Sequence, residues 1–268
     1  MTPYYEKSGI TIYHGDCREV LPRLSAESVD VVIADPPYAI DNKFGTQVGR
    51  PGYGNRSLQF AWDKAEGVAE GVAEAMRLCK APFAAFCFVG LPTCELVRRA
   101  MLEAGLIVKM AAWAKECPAP ALPGNWWPSA FELALYGYQS GAFFADVRPT
   151  RRNWWVHDSY RFGQPGKVAH PTQKPLSLIA YIMSAMAKPG SIILDPFMGS
   201  GTTLRAAKDA GCRAIGIEIE ERYAEIAARR LEQSVIEWGD EKQRTDLQSS
   251  VLEAMGNQES PISQAELF

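Results

Sequence analysis

Two short segments hold residue types suited to chemistry. The first, Asp35-Pro36-Pro37-Tyr38, follows a buried-strand pattern at 29–34. An amino group conjugated to an aromatic ring is a poor nucleophile because its lone pair is delocalised. A carboxylate and a carbonyl that each accept one of its hydrogens localise that pair on nitrogen. Asp35 and the Pro36 carbonyl suit this task, while Pro36 and Pro37 fix the backbone and add no competing amide hydrogens. Asp35 would also oppose positive charge growing on the attacked nitrogen, and Tyr38 offers a ring to stack on a planar base. The plainer alternative is a strand-ending turn, with Asp as cap and Tyr as packing.

The second segment, Asp195-Pro196-Phe197-Met198-Gly199-Ser200-Gly201-Thr202-Thr203, follows the apolar run 191–194. A glycine turn between strand and helix lets backbone approach a ligand closely and aims amides at it. Many such turns only connect elements, so Glu218, at the end of the next strand pattern, carries the reading further. A carboxylate there can accept both hydroxyls of a ribose, as in dinucleotide-binding folds. A dinucleotide itself is disfavoured, since Gly-x-Gly-x-x-Gly is absent, as is the Gly-Lys-Ser/Thr of a triphosphate site.

The elements that must position these residues alternate. Strands are predicted at 10–13, 29–34, 83–89, 106–114, 131–138, 191–194 and 213–217. Helices are predicted from Cys17, capped by Asp16, and over 68–79, 93–104, 175–187, 202–210 and 220–238. Such alternation implies an α/β fold, a mostly parallel, twisted sheet with helices on both faces. Residues 39–60 read as a mobile loop beside the site. Residues 139–169 are irregular, basic and aromatic, an inserted recognition region. The polar stretch after Gly239 reads as a disordered tail. One domain over 1–238 is expected, with a catalytic half at about 8–114, a target-recognition region at about 115–169 and a cofactor half at about 170–238, leaving 239–268 as tail.

Composition narrows the classes further. The net charge of −3 argues against an evenly basic nucleic-acid binder. A local patch exists, however: residues 140–175 carry six basic and two acidic side chains, whereas 213–268 carry six basic and twelve acidic. Arg151, Arg152 and Arg161 in that patch are the candidate phosphate contacts. Trp126-Trp127 and Trp154-Trp155 fit DNA contact or buried packing equally well, Glu132 reads as scaffold, and His157 is uninformative. Six scattered cysteines without metal-ligand spacing read as reduced thiols, with no metal site and no disulfide framework. With no membrane-spanning run and no signal-peptide pattern, a cytoplasmic location is the expectation.

The order of the two motifs, Asp35-Pro-Pro-Tyr before Asp195-Pro-Phe-x-Gly-Ser-Gly-Thr-Thr, resembles the beta class of DNA amino-methyltransferases, whose Rossmann-like methyltransferase fold is circularly permuted. His170-Pro171-Thr172-Gln173-Lys174-Pro175 is similar to the family segment that precedes the cofactor strand and closes around the methionine moiety. Gly15-Asp16 is similar to the one whose Asp contacts the cofactor adenine. The resemblance implies S-adenosylmethionine as cofactor, held by Asp16, His170, Thr172, Gln173, Lys174, Asp195, Phe197, Gly199, Ser200, Gly201, Thr202 and Glu218. It further implies methyl transfer to adenine N6 in double-stranded DNA by base flipping, within a restriction-modification pair or as a solitary enzyme, and a homodimer. Cytosine N4 is the nearest rival target; Asp rather than Ser at the first motif position goes more often with adenine. Protein-glutamine and ribosomal-RNA amino-methyltransferases share Asn/Asp-Pro-Pro-Tyr but usually place the cofactor motif first. A DNA-binding module without turnover is a further alternative, which the intact Asp35–Tyr38 segment opposes. Finally, Gln264-Ala265-Glu266-Leu267-Phe268 resembles the peptides that dock on the bacterial sliding clamp, with Gln264, Leu267 and Phe268 as anchors; chance and folding back onto the domain are the alternatives.

Overall fold

The computed structural model describes residues 1–39, 65, 67–116, 118, 130–145, 152–157 and 166–232. In chain order they form β1 (Tyr5–Lys7), β2 (Ile10–His14), α1 (Cys17–Val20), a 3-10 turn at Leu21–Arg23, β3 (Val29–Ala34), α2 (Val68–Arg77), β4 (Cys79–Val89) and α3 (Leu91–Glu103). They continue through β5 (Ile107–Ala114), β6 (Phe131–Tyr138), β7 (Trp154–Val156), α4 (Leu176–Met186), β8 (Ile192–Asp195), α5 (Thr202–Asp209), β9 (Arg213–Glu218) and α6 (Glu221–Glu232).

One nine-stranded sheet organises them, in the order β1-β2-β9-β8-β3-β4-β6-β5-β7. The five strands from β2 to β4 run parallel, and β6 is antiparallel to both its neighbours. The central strands end in β-branched and apolar runs, such as residues 31–34 and 83–89, because both their faces are covered there. On one face, Ile33, Phe86, Phe88 and Ile193 pack with α4, α5 and α6. On the other, Val32, Ala34, Ala85, Cys87 and Leu194 pack with α1, α2 and α3. The helices contribute apolar stripes at helical spacing, such as Val68, Val72, Ala75 and Met76 of α2.

Chain direction locates the site. From β8 the chain proceeds through α5 to β9 on one side, and from β3 it proceeds through α2 to β4 on the other. Neighbouring strands that leave in opposite directions open a crevice at their carboxyl ends, the usual ligand position in open α/β sheets. Asp35 and Asp195 stand at the two lips of that crevice, although they are far apart in the chain.

The structure adjusts several boundaries. β4 begins at Cys79, where Cys79 pairs with Val29 ahead of a register shift, so the predicted helix over 68–79 ends at Arg77. Lys80-Ala81-Pro82 interrupts the apolar pattern that the sequence reading required of a strand. β1 and β7 were not anticipated; β7 lies within the stretch read as irregular. β6 sits in the sheet between β4 and β5, so residues 131–138 are scaffold inside the stretch assigned to target recognition. The expected loop, Trp126-Trp127, the end of the last predicted helix and the tail lie outside the described residues. No helix among the described residues is long and apolar enough to cross a membrane.

Candidate active site

Asp35 is held at the mouth of the crevice because β3 is anchored on both sides, by β4 and by β8. Pro36 is buried and Pro37 lines the cavity beside Asp35. Tyr38 is placed by a close approach: a Cβ on Gly90, the residue before α3, would lie 2.7 Å from Tyr38 Cβ. The Tyr38 hydroxyl donates to Glu132 Oε2 at 2.8 Å.

Lys174 enters the same site. Its ammonium lies 2.7 and 2.6 Å from the two oxygens of Asp35 and 3.3 Å from Glu132 Oε2. It also sits 5.1 Å from the Tyr38 ring centre and 4.9 Å from that of Phe88. Lys115, just past β5, completes the cluster with a 2.8 Å contact to Glu132 Oε1. Burial pushes the Asp35 carboxyl up, and the Lys174 ammonium opposes that rise. For Glu132 burial acts in the same upward sense, but Lys174 and Lys115 outweigh it and hold the group at about 2. Burial would discharge Lys174; Asp35 and Glu132 reverse this and raise it. In the sequence alone Glu132 reads as scaffold; in the structure it stands in the site. β6 runs antiparallel, so a residue near its start reaches the edge where the parallel strands end, and local pattern cannot reveal that direction.

The second lip is the turn after β8. Asp195 Oδ1 accepts from the Phe197 amide at 3.0 Å. Gly201 precedes α5 with φ +76°, and a Cβ there would lie 2.7 Å from Ala227 Cβ on α6, so glycine serves both the turn and the close helix approach. Glu218 is pinned by two amides, from Gly199 to Oε2 at 2.9 Å and from Glu220 to Oε1 at 2.8 Å. Asp16 follows β2, caps α1 by accepting from the Arg18 amide at 2.9 Å, and pairs with the Arg18 guanidinium at 2.6 Å. Over the turn, Gln173 braces the 166–173 segment, accepting from the Val168 amide and donating to the Gly166 carbonyl, each at 2.8 Å. The His170 ring meets Tyr223 edge-on with centres 4.4 Å apart. Burial, with Lys167 and Lys174 nearby, lowers His170 to about 4 and keeps it neutral.

These groups surround one cavity of about 330 Å³, lined among others by Asp16, Asp35, His170, Thr172, Gln173, Lys174, Asp195, Phe197, Gly199, Ser200, Thr202 and Glu218. Of the expected cofactor residues, Gly201 stands behind the wall, shaping the turn. Arg152 lies just before β7, exposed, with its guanidinium 5.1 Å from the Trp154 ring centre. Trp155 packs inward against Phe86 and Tyr181, at 6.0 and 5.7 Å between ring centres. Arg151, Arg161, Gln264, Leu267 and Phe268 lie outside the described residues.

With this geometry in view, comparison with known proteins is direct. Residues 29–229 match the family model described as DNA methylase. The chain is 30% identical over 253 residues to the Type II methyltransferase M2.DpnII of Streptococcus pneumoniae, covering 86% of this chain and 92% of that one. It resembles the crystal structure of the M1.HpyAVI complex with SAM, at 28% identity and a TM-score of 0.64, covering 83% of this chain and 99% of that one. The cytosine-N4-specific PvuII DNA methyltransferase shares the fold, with a TM-score of 0.66 at 18% identity over 94% of this chain and 95% of that one. The chain therefore belongs to the DNA methylase family, with its catalytic motif ahead of its cofactor motif. It is an S-adenosylmethionine-dependent DNA methyltransferase.

The cavity fits that cofactor. Asp35, Asp195 and Glu218 end three adjacent strands, β3, β8 and β9, and line one space. A row of carboxylates suits a ligand carrying a sulfonium and an ammonium and repels a pyrophosphate. When bound, the cofactor supplies an electrophilic methyl group on cationic sulfur. Glu218 is oriented by its two amide donors, and its remaining lone pairs are free to accept from a hydroxylated ligand. Burial pushes the Asp195 carboxyl up to about 7. A cation in the cavity favours the ionised carboxylate, so protons compete with it below about pH 7. Cofactor affinity should fall as pH drops through that value, by up to about tenfold per unit, and the dependence should flatten in Asp195→Asn. Calorimetric titration from pH 5.5 to 8.5 checks this.

Proposed function

We propose that this chain methylates adenine N6 at a specific site in double-stranded DNA, the target base being flipped out of the duplex. One observation carries the reading: Asp35-Pro36-Pro37-Tyr38 stands at the mouth of the cofactor cavity, with Asp at its first position. The target nitrogen lies inside a duplex, where the in-line approach to a methyl group is blocked, so the base must leave the stack. Asp35 would accept one amino hydrogen and the Pro36 carbonyl the other, which directs the nitrogen lone pair into the cavity, and Tyr38 would flank the base. The fold itself is shared with a cytosine-N4-specific enzyme, so the choice of base rests on Asp35 at the first motif position. Long-read sequencing of DNA from cells expressing the protein reads base and site together. N4-methylcytosine at a fixed site would overturn the choice of adenine, and no modification would overturn the function.

The methyltransferase unit is taken to span 1–238, with the basic stretch around β7 facing DNA. Arg151, Arg152 and Arg161 would contact phosphates. Substituting Arg151 and Arg152 together by alanine should weaken binding and flatten the slope of log K against log salt by about 1 per lost contact; an unchanged slope moves the DNA face elsewhere. A homodimer and docking of Gln264, Leu267 and Phe268 on a sliding clamp are part of the same reading. Light scattering with and without DNA tests the first, and capture on immobilised clamp, before and after deletion of 264–268, tests the second.

A further inference from the structure

The ion cluster beside Asp35 is larger than methyl transfer to an amine requires. Glu132 is its hub. Oε1 is taken by Lys115, and Oε2 receives both the Tyr38 hydroxyl and the Lys174 ammonium. The two donors to Oε2 are themselves site residues, since Tyr38 belongs to the Asp35 segment and Lys174 contacts both Asp35 oxygens. Glu132 thus reaches the reaction centre by two routes, one through an ammonium and one through an aromatic ring.

We propose that Glu132 is a positioning residue for methyl transfer, holding Lys174 against Asp35 and Tyr38 beside it, so that Asp35 presents its unused lone pairs to the target amine. The proposal rests on the assignment of the site to amino-methyl transfer and not on the choice of adenine over cytosine. A carboxylate has about four acceptor positions. Lys174 occupies one on each Asp35 oxygen and the Tyr38 hydroxyl interacts with the same carboxylate, while Asp35 lines the cavity and its side chain keeps 26% of its surface exposed where Lys174 keeps 7%. An ammonium held by one carboxylate alone would settle more fully on Asp35 and compete with the amine. A second carboxylate at 3.3 Å shares it and limits that competition. Charge balance acts in the same direction. Asp35 and Glu132 offset Lys174 and Lys115, and loss of Glu132 leaves two ammonium groups facing one carboxylate where positive charge grows on the attacked nitrogen. Tyr38, tied by its hydroxyl, also loses its orientation.

Glu132→Gln removes the charge with little change of shape and keeps an acceptor for Tyr38. Tyr38→Phe removes only the hydroxyl. Transfer of tritiated methyl to DNA, cofactor titration and thermal unfolding are measured on each variant, on Glu132→Asp and on the double variant. Glu132→Gln should lower kcat by about 10- to 100-fold with cofactor Kd within about twofold. Glu132→Asp should recover part of the loss, and Tyr38→Phe should cost about 3- to 10-fold in kcat. The double variant should lose less than the product of the two single losses, because both act through one carboxylate. A kcat within about twofold of wild type for Glu132→Gln, or losses that multiply independently, would overturn the proposal. Should Glu132→Gln fail to bind cofactor, Tyr38→Phe decides: an unchanged kcat overturns the proposal, and a loss at unchanged cofactor affinity supports it. Wild-type protein that transfers no methyl group to DNA would instead sink the site assignment.

Discussion

Asp35→Ala is expected to abolish methyl transfer, with kcat down about 1,000-fold or more, while cofactor affinity stays within about twofold. In the proposed reaction the carboxylate acts on the amine, so its removal deletes both the acceptor that localises the lone pair and the charge that opposes the growing cation. The fold should tolerate the change. Lys174, the partner left behind, still has Glu132 at 3.3 Å, and Asp35 lies one residue beyond β3 rather than within its ladder. That distinguishes this position from most buried ion pairs, where removing one member strands the other. Turnover measured beside calorimetric cofactor titration checks the prediction. Loss of cofactor binding on the same scale as loss of turnover would place Asp35 in the cofactor pocket and not at the amine.

The residues that were legible in the sequence are those whose position follows from local pattern. Residues 31–34 form an apolar run because a central parallel strand is covered on both faces, and a carboxylate directly after such a strand stands at the carboxyl edge of the sheet. The same logic places Asp195 after Ile192–Leu194 and Glu218 after Arg213–Ile217, and a glycine turn before α5 fits close backbone approach. What stayed hidden depends on pairings between distant segments. Glu132 is an acidic residue in an apolar stretch, and only the antiparallel insertion of β6 between β4 and β5 carries it to the edge where Asp35 lies. Lys174 was expected at the cofactor from its segment alone. Its ammonium reaches both Asp35 oxygens, a pairing between segments 139 residues apart. β7 spans three residues and is held by β5, too short for periodicity to register. The early start of β4 is masked by Lys80-Ala81-Pro82, which no strand pattern would include.

Glu218→Ala should show the reverse of the Asp35 profile, with cofactor affinity weakened by about 100-fold and turnover at saturating cofactor much less affected. Two effects combine. The charged acceptor expected to take the ribose hydroxyls is lost, and hydrogen bonds to charged groups are among the stronger ones. The Gly199 amide, which now donates to Glu218 Oε2 at 2.9 Å, and the Glu220 amide, which donates to Oε1 at 2.8 Å, lose their shared acceptor, so the turn between β8 and α5 is no longer tied to the end of β9. The turn carries Asp195 at its start, so the loosening reaches a second carboxylate of the cavity as well. Glu218→Gln separates the two effects. Its side-chain oxygen can keep one amide bond while the charge is gone, so it should bind cofactor more tightly than Glu218→Ala and more weakly than wild type. Calorimetry on the three proteins gives the order directly. Equal affinity in wild type and Glu218→Gln would mean that the carboxylate serves only to brace the turn, and that the ribose is held by another group in the cavity.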